Sequence, residues 1–226
     1  ESEAERSREA FFSMIRHELK RPLNSIDRYL DTVPTGEGLA MHAEVAAGQL
    51  GSMIDDLLFL ARIDRDPLAV QPTQTVTIQE LVSGWDLGYR SLTSKKEIQF
   101  TTHVDDNLPS LQIDERKFQQ AVGNIIDNAV KFTPRTGRIE LRAECRDDCI
   151  SIVVDDSGPG IPLNQREKVF ERFYQANEGS GRSDGLGLGL AIAARVAVAH
   201  GGRVAAEESP LGGARFVLMF PVTTIG

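Results

Sequence analysis

The sequence predicts an α-helical hairpin, a four-helix bundle when two copies pair, followed by an α+β two-layer sandwich. Apolar residues recur at helical spacing on two segments before residue 66, and a stretch with two prolines follows them. Beyond it, short strand-like runs mix with helical ones without regular alternation, the pattern of helices laid on one face of a mixed sheet. At 226 residues the chain exceeds one ordinary domain. We divide it into a hairpin at 1–66, a linker at 67–74 and a second domain at 75–226.

In the first helix, at about 100° per residue, Phe12, Ile15, Leu19, Leu23, Ile26 and Leu30 fall in one stripe. His17 lies about 160° from its centre, beside Glu18, so an imidazole and a carboxylate sit on the outer face. Taken alone, His17 reads equally as a surface histidine without chemistry. Residues 32–38, Thr-Val-Pro-Thr-Gly-Glu-Gly, supply turn chemistry. The second helix spaces Ala43, Ala46, Leu50, Met53, Leu57 and Leu60 as a coiled-coil seam. Two helices cannot bury both stripes by themselves. A homodimer is the economical solution, with packing onto the rest of the chain as the alternative.

After the linker the patterns predict a strand near 76–78, a helix to about 94, a strand at 98–103 and a helix at 114–131. Strands at 138–143 and 150–154 flank a turn that carries Cys145 and Cys149, and a helix at 189–199 precedes strands at 203–206 and 214–220. The two cysteines and the four scattered histidines show no zinc spacing, so the cysteines read as reduced and structural. A net charge of −8 argues against a nucleic-acid partner held through phosphates. No apolar run is long enough for a membrane helix, and residues 1–10 are too charged for a signal peptide. The chain starts at Glu, which suggests a piece of a longer protein, one from which a membrane anchor could have been cut away.

Chemistry concentrates in three places. On the 114–131 helix, Phe118, Val122, Ile125 and Ala129 form the core stripe, whereas Asn124, Asn128 and Lys131 cluster on another face. Asparagine is a poor helix former, so two on one face need a reason. A carboxamide oxygen can ligate Mg²⁺ while the metal keeps its waters and bridges phosphates, and a hard cation with phosphate oxygens supplies that reason. The second place is the loop Asp155-Asp156-Ser157-Gly158-Pro159-Gly160, where Gly158 and Gly160 allow close approach of backbone to a ligand. A carboxylate there can accept the exocyclic amino hydrogen of adenine. The third is Gly185-Leu186-Gly187-Leu188-Gly189 at the start of the last helix, whose amides and dipole suit phosphate. It is neither a dinucleotide fingerprint nor a Walker loop, because the glycine spacing is wrong and the chain has no Gly-Lys pair. Residues 178–184 are expected to form a flap over the site.

Together these blocks resemble the sensor histidine kinases over nearly the whole chain. The His17 segment, Asn124-Ile125-Ile126-Asp127-Asn128-Ala129-Val130-Lys131-Phe132-Thr133-Pro134, the Asp156 loop and the glycine run stand in the family's order. Phe170-Glu171-Arg172-Phe173-Tyr174 is similar to the family's Phe-containing box, and Gly212-Gly213-Ala214-Arg215-Phe216 to its closing strand. The resemblance implies a dimerisation and phosphotransfer hairpin followed by a catalytic ATP-binding domain. His17 would be the phosphorylated residue and Glu18 its base. Asn124, Asn128, Lys131, Asp156, Gly158, Gly160, Gly185, Gly187 and Gly189 would bind ATP, with Mg²⁺ on Asn128. The implied partners are a second copy of the chain and a response-regulator receiver domain. The implied location is cytoplasmic, including the cytoplasmic part of a membrane-anchored sensor.

One departure stands out. Four positions after the histidine the family usually carries Thr or another polar residue, which orients water for dephosphorylation of the regulator; here that position is Arg21. A guanidinium has no acceptor for that task, which makes phosphatase activity doubtful. Arg21 also motivates an alternative, a kinase-like regulatory module with weak or no catalysis that controls another histidine kinase or a regulator. An ATPase clamp of the gyrase or chaperone kind would share the nucleotide domain but leave the His17 hairpin unexplained.

Overall fold

This computed structural model describes residues 37–63, 70, 74–175 and 186–222. His17, Glu18, Arg21, Gly185 and the 178–184 segment lie outside them.

Helix α1 spans Glu37–Ile63. Glu37 and Gly38, expected in the turn, are instead its first residues. Strand β1 (Gln74–Val76) leads through Thr77, which is extended, into α2 (Ile78–Ser94). The strand expected at 76–78 therefore ends two residues early, because Ile78 is needed on the buried face of α2 with Leu81, Val82 and Trp85. Strand β2 (Gln99–Val104) follows, then β3 (Leu111–Ile113), which pairs antiparallel with β1. Three residues are too short to display a period, so β3 had no signature in the sequence.

Helix α3 (Glu115–Phe132) opens on Asp114, whose side chain accepts from the Lys117 amide, a normal N-cap. It crosses over from β2 to β4 (Arg138–Arg146), which lies parallel to β2. Strand β5 (Cys149–Asp156) returns through Asp147 and Asp148, both at positive φ, the geometry of a two-residue hairpin turn. Cys145 sits opposite Ile150 and Cys149 opposite Arg146, so the two free thiols point to opposite faces of the sheet. After two short 3₁₀ turns come α4 (Gly189–Ala199), β6 (Arg203–Glu208) and β7 (Ala214–Pro221). The five-stranded sheet runs β2-β4-β5-β7-β6, antiparallel except for the β2/β4 pair.

The core lies between this sheet and its helices. Phe118, Val122, Ile125 and Ala129 of α3 are buried against Ile139, Leu141, Ile152, Phe216, Leu218 and Phe220 of the strands. Phe118 stacks near Trp85 and packs 4.9 Å from Phe220, ring centre to ring centre. His200, at the end of α4, accepts from the Asp114 amide through Nε2 and donates from Nδ1 to the Val196 carbonyl, which ties α4 to the start of α3. Among the described residues, no helix is long and apolar enough to cross a membrane.

The lower end of α1 packs on the same core. Phe59, Leu60 and Ile63 are buried in it, the Lys117 ammonium stands 3.9 Å over the Phe59 ring, and Gln120 Nε2 donates to Asp56 Oδ1 at 2.7 Å. Arg172 reaches the Leu60 carbonyl at 3.4 Å. The seam read from the sequence is thus partly used within the chain: Ala46 and Leu60 are buried, whereas Ala43, Leu50, Met53 and Leu57 are only half-buried; outside the seam, Ile54 and Leu58 are exposed. Burial pushes the Asp56 carboxyl from 3.8 up to about 6, against the pull of Lys117 and the Gln120 hydrogen bond, with Asp55 adding to the rise. A docked Asp56 therefore keeps its proton at a pH where a released one has lost it. The gain in docking is complete below the free value and disappears as pH rises through about 6. Protection of the amides in the second half of α1, relative to the intrinsic exchange rate at each pH, is expected to rise between about pH 7.5 and about pH 5.5, and Asp56→Asn to abolish that rise. A pH dependence unchanged in the variant would contradict it.

Candidate active site

Three chain segments converge along one side of α3. Asn124, on the middle of the helix, donates from Nδ2 to the carbonyl of Gly189, the first residue of α4, at 3.1 Å. A Cβ on Gly189 would stand 3.3 Å from the Asn124 carboxamide carbon, so the missing side chain is what lets the two helices approach. At the C-terminal end of α3, the Phe132 carbonyl lies 3.2 Å from where Gly158 would carry a Cβ. Eight residues separate Asn124 from Phe132, about 12 Å along the axis. Asn128, half-buried, and Lys131, exposed with its ammonium 5.1 Å from the Phe132 ring centre, fall between these two contacts.

The near end of this track is the start of α4. Leu188, which precedes the helix, makes no capping hydrogen bond with its side chain. Gly187 is held at φ +65, and a Cβ there would meet the Tyr174 carbonyl at 2.8 Å. The Gly187 carbonyl accepts from the Phe173 amide at 3.0 Å, so the aromatic segment at 170–174 is the wall against which the glycine run is laid.

The far end is Asp156, the last residue of β5, which is buried. Its Oδ1 accepts from the Gly158 amide at 2.7 Å and from the Ala214 amide at 3.0 Å, while its carbonyl accepts from the Gly213 amide at 3.1 Å. Burial raises the Asp156 carboxyl above the usual carboxylate range; the two amides pull it back, and neighbouring Asp155 pushes the same way as burial. With Oδ1 committed to amides, Oδ2 is the oxygen left to accept from a ligand, and an acceptor of fixed orientation suits an amino group. Gly213 closes on the carboxylate so tightly that a Cβ would fall 2.2 Å from Oδ1, and Gly160, at φ +72, backs onto the Gly213 carbonyl.

Of the residues singled out in the sequence, Asn124, Gly187 and Gly189 stand at the near end and Asp156, Gly158 and Gly160 at the far end, Asn128 and Lys131 fall on α3 between them, and His17, Glu18 and Gly185 lie outside the described residues. Sequence reasoning missed the part played by Gly213 and Ala214. Their signal was the glycine pair heading the closing strand, whose purpose needs the β5/β7 register to be seen. Among the described residues, no three His, Cys, Asp or Glu side chains converge as a metal cage. A magnesium ion here would draw on phosphate oxygens, water and the Asn128 carboxamide, the donor set that magnesium favours.

The family model for the His Kinase A (phospho-acceptor) domain matches residues 7–66, and that for the Histidine kinase-, DNA gyrase B-, and HSP90-like ATPase matches residues 113–224. Sensor histidine kinase RcsC of Salmonella typhimurium is 30% identical over 97% of this chain and 24% of its own length. Signal transduction histidine-protein kinase BaeS of Escherichia coli is 31% identical over 95% of this chain and 47% of its own. The chain thus spans less than half the length of either relative. The structure of full-length ShkA in complex with AMPPNP matches with a TM-score of 0.71 at 29% identity, over 94% of this chain and 45% of that one. Because a phospho-acceptor unit and an ATPase unit stand in this order in one chain, and relatives of one kind match it almost end to end, the chain belongs to the sensor histidine kinase family.

Proposed function

We propose that the chain is an ATP-dependent protein-histidine kinase that phosphorylates its own His17 and passes the phosphoryl group to an aspartate of a response-regulator receiver domain. The observation that carries the reading is the track along α3, with an amino-group acceptor at Asp156 and an uncapped helix start beside Asn124. The phospho-acceptor match at residues 7–66 supports His17 as the nucleophile. We divide the work between a hairpin at 1–66, which also joins two copies, and an ATP-binding domain at 75–226.

Adenine's amino group donates to Asp156, and the phosphates lie toward Lys131 and the amides of the glycine run, including Gly185, Gly187 and Gly189. Asn128 would hold a magnesium ion, which supplies charge neutralisation across the phosphates. Asn124 keeps the start of α4 in place beside them. The neutral imidazole of His17 attacks the γ-phosphorus in line; the nitrogen–phosphorus bond forms as the bond to the β-phosphate oxygen breaks, and its electron pair leaves with ADP. Glu18 takes the proton from the other ring nitrogen. Positioning and charge neutralisation do most of the work in phosphoryl transfer, which is why the site is a rigid track rather than a set of strong acids and bases.

Incubation with γ-labelled ATP and Mg²⁺ is expected to leave acid-labile, base-stable label on the protein and none on His17→Gln; equal labelling of both would end the reading. Gly213→Ala is expected to cost about 1–3 kcal/mol of stability and to abolish nucleotide binding, because the new methyl overlaps the Asp156 carboxylate. Thermal melting with and without ATP checks both parts. Arg21 offers no acceptor to a hydrolytic water, so phosphorylated regulator is expected to keep its phosphoryl group in the presence of the chain. Rapid release by the purified protein would refute that expectation.

A further inference from the structure

We infer that Arg215, acting with Arg142 through Asp155, is a positioning residue that sets the orientation in which Asp156 meets the adenine base; the inference rests on the nucleotide-site reading above. Strand β5 gives its own register little help. Ile152, Val153, Val154, Asp155 and Asp156 are all buried, so the usual contrast between an apolar and a polar face is missing. Two aspartates stand side by side, and a slip of one residue would exchange them between the faces of the sheet.

The ion pairs remove that ambiguity. Asp155 is 0% exposed and its oxygens are taken from both sides. Arg215 grips it with Nε on Oδ1 at 2.8 Å and a terminal nitrogen on Oδ2 at 3.1 Å, while Arg142 donates to Oδ2 at 2.6 Å. Arg142 also pairs with Glu140 at 3.2 Å. These groups rivet β4, β5 and β7 at one level, with Asp155 opposite Glu140 on one side and Arg215 on the other. A buried ion pair adds little stability over apolar residues of the same size, because both charges must leave water. What it adds is a choice among geometries. Here the chosen geometry puts Ala214, the neighbour of Arg215, beside Asp156, with its amide on Oδ1 at 3.0 Å. A planar, two-pronged guanidinium can hold that alignment, and a single ammonium cannot.

The test compares ATP and GTP dissociation constants, turnover and melting of the whole chain in Arg215→Lys, Asp155→Asn and the paired Asp155→Leu/Arg215→Leu. ATP binding is expected to weaken about tenfold in each, with GTP binding changed less, so that preference for adenine shrinks. Turnover at saturating ATP should stay within about twofold of the parent, since the phosphate end is untouched. The paired leucine variant should melt cooperatively at or above the parent temperature and still bind ATP weakly. Parent-like ATP affinity in Asp155→Asn, or recovery of that affinity in the paired variant, would overturn the inference and leave the cluster a structural one. Asp156→Asn serves as the separate control: if it binds ATP as the parent does, the base-reading role of Asp156 falls, whatever Arg215 does.

Discussion

The register between β5 and β7 is the constraint on which the site rests. It sets Asp155 opposite Arg215 and Asp156 next to Ala214 and Gly213, and so it decides which of two identical side chains is offered to a ligand. Backbone amides hold one oxygen of Asp156, which leaves a single acceptor with a defined direction. That arrangement requires a closing strand headed by glycine, because any side chain on Gly213 would occupy the carboxylate's own volume. The loop that follows β5 inherits the same restriction, with Gly158 against the end of α3 and Gly160 against Gly213.

Helix α3 joins this end of the site to the other. Its apolar stripe is buried on the sheet, and the face beside that stripe carries Asn124, Asn128 and Lys131 past both glycine-rich segments. The start of α4 is held by a side-chain amide from α3 rather than by a cap of its own, which leaves its first amides available to an anion. Core packing and ligand placement are thus two faces of one helix. A change in how α3 seats on the sheet moves both.

The α1 contact couples this unit to the helix that belongs to the phospho-acceptor match. Phe59 and Leu60 enter the core between the five-stranded sheet and its helices, and Asp56 is held against Gln120 on α3 itself, four residues before Asn124. A half-buried carboxyl with a raised pKa makes that contact sensitive to charge, in contrast to the purely apolar seam higher on the helix. The chain belongs to the sensor histidine kinase family, and α1 lies within its phospho-acceptor match at residues 7–66 while α3 lies within its ATPase match at residues 113–224.

By itself the sequence determined the helices of the second domain, most of its strands and the residues of the α3 track. Those signals are local: a period of 3.6 or 2, a cap at Asp114, glycines spaced for close approach. It also determined the family, because four short blocks in a fixed order are legible without knowing how they meet. Only the tertiary structure decided the partner of each glycine, the pairing of the three-residue strands β1 and β3, and the burial of the lower part of the α1 seam within the chain. It also showed what holds each of the neighbouring carboxylates, arginines on Asp155 and backbone amides on Asp156. Those outcomes depend on strand register and on contacts between residues about 60 positions apart, as in Asp156 with Ala214 and Asp56 with Gln120, and no local period encodes such distances.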